Sequence, residues 1–204
     1  GGLVSGDDLA IDVQVGQGAS ALLTTPGPGP IYRGRTAYQP PRQIQRVQLS
    51  LDDNAALEWL PQPTIVFDGA DVLLDLQVEL AASASFVGWE VLCLGRPASA
   101  LPFERGHIEQ RWRVCRDGVP LLNDRLCVTG DDGLRHASWG LQNQPVYGTF
   151  IAIPGSQRTL PVNAVELLRE LSANQNADAE LAITRVRGML ILRYLGAGTE
   201  RAQQ

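Results

Sequence analysis

Apolar and polar residues alternate at a period of two through most of the chain. Leu9, Ile11, Val13 and Val15 alternate with Ala10, Asp12 and Gln14, and Val47, Leu49 and Leu51 alternate with Gln48 and Ser50. In a third run, Leu74, Leu76, Val78 and Leu80 oppose Asp75, Gln77 and Glu79. In a fourth, Ile108, Gln110, Trp112 and Val114 share one face against Glu109, Arg111 and Arg113. Successive strand side chains point to opposite faces, so each run predicts a β-strand buried on one side and solvated on the other. Turn signals separate the runs: Gly16-Gln17-Gly18, Asp52-Asp53-Asn54, Asp68-Gly69, Asp117-Gly118 and Gly130 to Gly133. Short strands at near-regular spacing predict a β-sandwich or stacked-sheet body.

One segment breaks the alternation. Leu160, Ala164, Leu167, Leu168 and Leu171 lie at i, i+4, i+7, i+8 and i+11, the apolar stripe of a helix. Thr159 and Pro161 mark its start and Asn174 to Asn176 a polar stop. Strand character returns from Leu181 to Leu195. The stretch Pro26-Gly27-Pro28-Gly29-Pro30 predicts an extended loop without ladder bonds, because proline has no N–H to donate. Asp131 to Pro145 reads as a polar loop within one domain.

Composition narrows the partners. The 204 residues carry 17 positive and 22 negative side chains, a net charge of −5. All the positive residues are arginine and they are scattered, so no basic patch for nucleic acid emerges. The absence of lysine excludes a lysine Schiff base and a P-loop. Apolar runs such as Met189-Leu190-Ile191-Leu192 are too short to span a membrane as helices. Cys93, Cys115 and Cys127 have neither disulfide-framework nor zinc spacing and read as reduced thiols, with the cytoplasm as the expected location.

Candidate chemistry rests on isolated acids. Only two histidines exist, His107 and His136, and neither stands in a nucleophile motif. Gly1-Gly2-Leu3-Val4-Ser5-Gly6-Asp7-Asp8 reads either as a tight turn capped by Asp7 or as a carboxylate at the mouth of a polar channel. Glu58 and Glu90 are lone acids beside tryptophans in apolar strands, with Arg96 and Arg125 the expected ion-pair partners. Asp124 has the same two readings, structural pair or functional carboxylate.

These segments together resemble the UreD (UreH) family of urease accessory proteins. The matching pieces run in family order: Gly1 to Asp7, Leu23-Thr24-Thr25-Pro26 with Tyr32-Arg33, Leu57 to Gln62, and Phe67-Asp68-Gly69-Ala70. Trp89 to Pro97, Pro120 to Leu126 and Arg193-Tyr194-Leu195 complete the series. The resemblance implies a mainly β fold, in stacked or helical-like antiparallel and mixed sheets with one or two α-helices. It implies a non-enzymatic chaperone that binds apo-urease and the accessory protein UreF, and through UreF the GTPase UreG. Nickel would pass transiently along a carboxylate-lined conduit, with no tightly bound cofactor.

Carried over residue by residue, Asp7 and Asp124 are the leading conduit candidates, and Glu58 and Glu90 rank below them. Gly1, Gly2, Gly6, Arg96 and Arg125 belong to the matched motifs as structural residues. Scattered oxygen ligands suit a conduit that must release its dication. Ser5 departs from a usual glycine and Pro30 from a common lysine. The resemblance also implies a fragment lacking the family's N- and C-terminal segments. Two further readings stay open: a β-sandwich binding module, and a hydrolase using Asp7 and Glu90 as acid and base.

Overall fold

The computed structural model describes residues 1–34, 42–131, 133–156, 159–173 and 179–203. The chain first winds as a coil of parallel strands. Its first turn holds β1 (Asp8–Val15), β2 (Ser20–Leu23) and β3 (Gly29–Ile31), and its second holds β4 (Gln43–Leu51), β5 (Ala56–Trp59) and β6 (Thr64–Val66). The third holds the longer β7 (Ala70–Leu80) and β8 (Ser85–Leu94). Like positions stack in parallel, β1 on β4 on β7 and β2 on β5 on β8.

A repeated corner makes this winding regular. Ala19 donates to the Gly16 carbonyl, Ala55 to Asp52 and Ala84 to Ala81, three short turns at equivalent places. The corners then bond to one another, Ala56 N–H to Ala19 and Ser85 N–H to Ala55. Gly18 and Asn54 sit at φ +70° and +57° there, a left-handed geometry that glycine and asparagine adopt at low cost.

Two hairpins close the body. β9 (Gly106–Arg116) runs parallel to β7 and returns as β10 (Val119–Thr129). Asp117 and Gly118 between them both have positive φ, as a two-residue hairpin turn requires. β11 (Val146–Ile153) pairs antiparallel with β8, and β12 (Glu180–Val186) and β13 (Met189–Gly196) extend that sheet. The result is a five-stranded sheet β1-β4-β7-β9-β10 and an eight-stranded sheet along β12-β13-β11-β8-β5-β2, with β3 and β6 joining it at β8. Helices are minor: α1 (Gly133–His136), α2 (Ala164–Ala173) and α3 (Thr199–Ala202). The mainly β expectation holds, with both parallel and antiparallel pairing.

Two local expectations change. Gly29–Ile31 pairs with β6 although Pro30 has no N–H, because the ladder uses the Gly29 N–H to Pro63 and the Pro30 carbonyl accepts from Leu3. The helix begins at Ala164, not near Thr159; Pro161 opens a preceding turn whose carbonyl accepts the Ala164 N–H. Its expected stop, Asn174 to Asn176, lies outside the described residues.

The core lies between the sheets in two main apolar clusters. One gathers Val47, Leu57, Leu76, Phe86, Trp112, Ile151 and Met189. The other gathers Leu3, Ile31, Leu74, Leu92, Phe103, Ile108 and Val128.

Candidate functional site

Strand parity places the site. Along β8, Phe86 and Leu92 belong to different apolar clusters, and Glu90 lies between them on the same face. The equivalent intermediate position is Thr149 on β11 and Arg193 on β13, and the register puts Glu90, Thr149 and Arg193 side by side across three strands. On the opposing sheet, Gln110 precedes Trp112 on the inner face of β9. Asp124 on β10 stands opposite Trp112. A polar row therefore crosses the inter-sheet space at one level, between two apolar layers.

Hydrogen bonds tie the row together across the sheets. Gln110 Nε2 donates to Glu90 Oε2 at 2.7 Å and Trp112 Nε1 donates to the same oxygen at 2.9 Å. Arg193 Nη2 donates to Asp124 Oδ2 at 2.7 Å, and its Nη1 donates to Thr149 Oγ1 at 3.1 Å and to the Tyr147 hydroxyl. The Arg193 guanidinium also lies 5.9 Å from the Tyr147 ring centre. Asp124 and Arg193 side chains each keep 30% exposure, so this end of the row reaches solvent at the edge strand β10. Glu90 lies further in, on β8.

The two acids differ in electrostatics. Burial pushes the Glu90 carboxyl up to about 7, against the lowering effect of the Gln110 and Trp112 bonds, with Asp75 adding a like-charge push. Its donors are neutral, so nothing in that set compensates a negative charge. Asp124, in contrast, is neutralised by Arg193.

The expected arginine partners are corrected. Arg96 lies 4.6 Å over the Phe67 ring, and Arg125 donates to Glu109 Oε1 at 2.7 Å. Arg125 faces outward because it registers with Arg111, whereas Glu90 faces inward. Arg125 therefore serves an ion cluster on the outer face. There Glu109, with a side chain only 4% exposed, accepts from Arg42, Arg111 and Arg125. Burial would raise its carboxyl, but those three bonds win and hold it at about 2.

The four candidate acids do not converge. Asp7 sits in a turn where its Oδ2 accepts the Val4 N–H at 2.8 Å. Its backbone carbonyl accepts the Ile44 N–H, so it leads into β1 at the sheet edge opposite β10. Gly6 supplies φ +83° in that turn, and a Cβ on Gly2 would lie 2.4 Å from the Pro30 carbonyl oxygen. Gly1 meets no such crowding. Glu58 is exposed on the outer face of β5, beside a surface cavity of about 540 Å³. Its expected burial is therefore corrected. Only Glu90 and Asp124 share the inter-sheet row, and Asp7 and Glu90 are not hydrogen-bonded as an acid–base pair.

Among the described residues, no three His, Cys, Asp or Glu side chains group as a metal cage. The row instead offers two carboxylates with hydroxyls beside them, oxygen donors suited to brief contact with a dication. The thiols are elsewhere: Cys93 is buried, Cys115 and Cys127 are half-buried, and all three are free. His107 lies among Arg42 and Asp71 on the outer face. Trp112 is core, Trp89 donates to the Pro61 carbonyl at 2.8 Å, and Trp139 stands 80% exposed. No helix among the described residues is long and apolar enough to cross a membrane.

Sequence reading missed Arg193, Thr149, Gln110 and Trp112 as members of one group. Two signals were present: Gln110 is the polar intruder on an apolar face, and Arg193 is a lone cation in an apolar strand.

The family model described as "UreD urease accessory protein" matches residues 1–204. The chain belongs to the UreD family of urease accessory proteins. It is 40% identical over 203 residues to the urease accessory protein UreD of Hahella chejuensis, covering 96% of this chain and 64% of that relative. To the UreD of Chromohalobacter salexigens it is 43% identical over 196 residues, covering 96% and 60%. To that of Dechloromonas aromatica it is 40% identical over 204 residues, covering 99% and 68%. This UreD-family chain thus spans about three fifths of the length of the first two relatives.

Proposed function

We infer that this chain is the body of a urease maturation chaperone, a scaffold for apo-urease and for UreF with the GTPase UreG. In this role it helps nickel into the urease active site without catalysing a reaction of its own. The observation that carries the conduit part is the polar row between two apolar layers, with Glu90 inside it bonded to two neutral donors and to no cation among the described residues. A cation moving between the sheets gains from Glu90 and Asp124 and is hindered by the apolar clusters on either side. Two carboxylates and neutral hydroxyls hold a dication weakly enough to release it.

Within this reading Glu90 and Asp124 are the conduit acids. Asp7 and Glu58 lie outside it, Asp7 as a turn residue and Glu58 on the outer face. Cytoplasmic location follows from the function, since urease maturation and its GTP supply are intracellular.

The test combines apo-urease, UreF, UreG, nickel and GTP with the chain, wild type or with Glu90→Gln. The expected result is activation that requires the chain and falls at least tenfold with Glu90→Gln while the complex still assembles. Full activation without the chain would overturn the chaperone reading and favour a plain binding module. Normal activation by Glu90→Gln together with Asp124→Asn would overturn the conduit.

A further inference from the structure

Arg193 holds an unusual position for a cation. It lies in the polar row itself, at the end that reaches solvent, with Asp124 on one side and Thr149 and Tyr147 on the other. A cation entering from the β10 edge meets Asp124 before Glu90, because β10 is the edge strand of its sheet, β13 lies next to the edge strand β12 of the other, and β8 lies two strands further in than β13. At that first carboxylate the guanidinium is already bound.

We propose that Arg193 is a tethered plug, occupying the place of the travelling cation at Asp124 and opening the row only when it withdraws. This deepens the conduit reading and rests on it. A guanidinium stays charged at any physiological pH, so the plug opens by movement, not by losing a proton. Its hold is divided. One nitrogen bonds Asp124, the other is held by two neutral oxygens, and the guanidinium as a whole lies beside the ring of Tyr147. The long, unbranched side chain has the rotamer freedom to swing towards the open edge. The divided hold separates two tasks. Asp124 sets how strongly the plug competes with a dication, and Thr149 with Tyr147 fixes where it rests.

The experiment is nickel binding to the purified chain, measured by calorimetry with Ni²⁺ alone. With Arg193→Gln, affinity for Ni²⁺ should rise at least tenfold, and Asp124→Asn added to that variant should remove the gain. Tyr147→Phe with Thr149→Val leaves every charge in place and loosens only the resting position. It should raise affinity several-fold, and it keeps the test decisive if Arg193→Gln folds poorly. Unchanged affinity in both the Arg193→Gln and the Tyr147→Phe/Thr149→Val chains would overturn the plug. If Glu90→Gln still weakened binding in that case, the conduit reading would survive alone. If no variant or wild-type chain bound Ni²⁺ at millimolar concentration, the conduit reading would fall, and the plug with it.

Discussion

Two glutamates in this body meet opposite treatment. Glu109 faces outward from β9 and accepts from Arg42, Arg111 and Arg125, whereas Glu90 faces inward from β8 and, among the described residues, accepts only from Gln110 and Trp112. Both lie in low-dielectric surroundings, which favour the neutral acid. Three guanidinium donors reverse that preference at Glu109, and two neutral donors do not at Glu90. The contrast separates a structural carboxylate from one left available. Glu109 spends its charge on the outer face of the five-stranded sheet. Glu90, with two neutral donors, stays raised by its burial and favours its neutral form.

Removing Glu109 should have the largest effect. Glu109→Ala leaves three arginines crowded without their acid and should lower stability by about 3 kcal/mol in urea melts. That is the low end for a broken buried pair, because the arginines reach solvent. A loss below about 1 kcal/mol would erase the contrast.

The pH dependence sharpens it next, because the two acids have opposite signs. Glu90 is raised in the folded state, so its neutral form is favoured. Stability is full below about 4.5 and falls, by up to about 3 kcal/mol, as pH rises to about 7. Glu109 is lowered, so its contribution is present above about 4.5 and lost as pH falls towards about 2. Melts of wild type and Glu90→Gln at pH 5 and pH 8 should therefore diverge, the variant keeping stability that the wild type loses. Parallel curves would mean that Glu90 is compensated after all.

Smaller effects belong to the edges of each environment. Arg125 is 62% exposed and shares Glu109 with two other arginines, so Arg125→Ala should cost less than about 1 kcal/mol. Trp59 Nε1 is buried without a hydrogen-bond partner among the described residues, so Trp59→Phe should cost only the packing of the lost ring, about 1 kcal/mol. A loss above about 4 kcal/mol would exceed that packing cost and point to a bonded indole N–H.

Four of the long strands were legible because they keep a period of two, whereas β8 and β10 do not alternate in sequence. β1, β4, β7 and β9 all coincide with runs that alternate in sequence. The parallel coil was not legible, since strand pairing depends on corner turns as short as Ala81–Ala84, which carry no glycine or asparagine. β3 was hidden by Pro30, whose missing N–H suggests a loop although a neighbouring residue supplies the bond. At the site, Glu90 and Asp124 were legible as lone acids in apolar strands. Their partners were not, because which arginine faces which acid depends on sheet order: Arg193 is 69 residues from Asp124, while Arg125, its immediate neighbour, points the other way.

The most direct measurement follows the Glu90 carboxyl itself, by carbon NMR titration of the selectively labelled chain with and without Ni²⁺. The account predicts a midpoint near 7 in the metal-free chain, shifted downward when Ni²⁺ supplies the missing positive charge. An ordinary glutamate midpoint, unmoved by Ni²⁺, would contradict it.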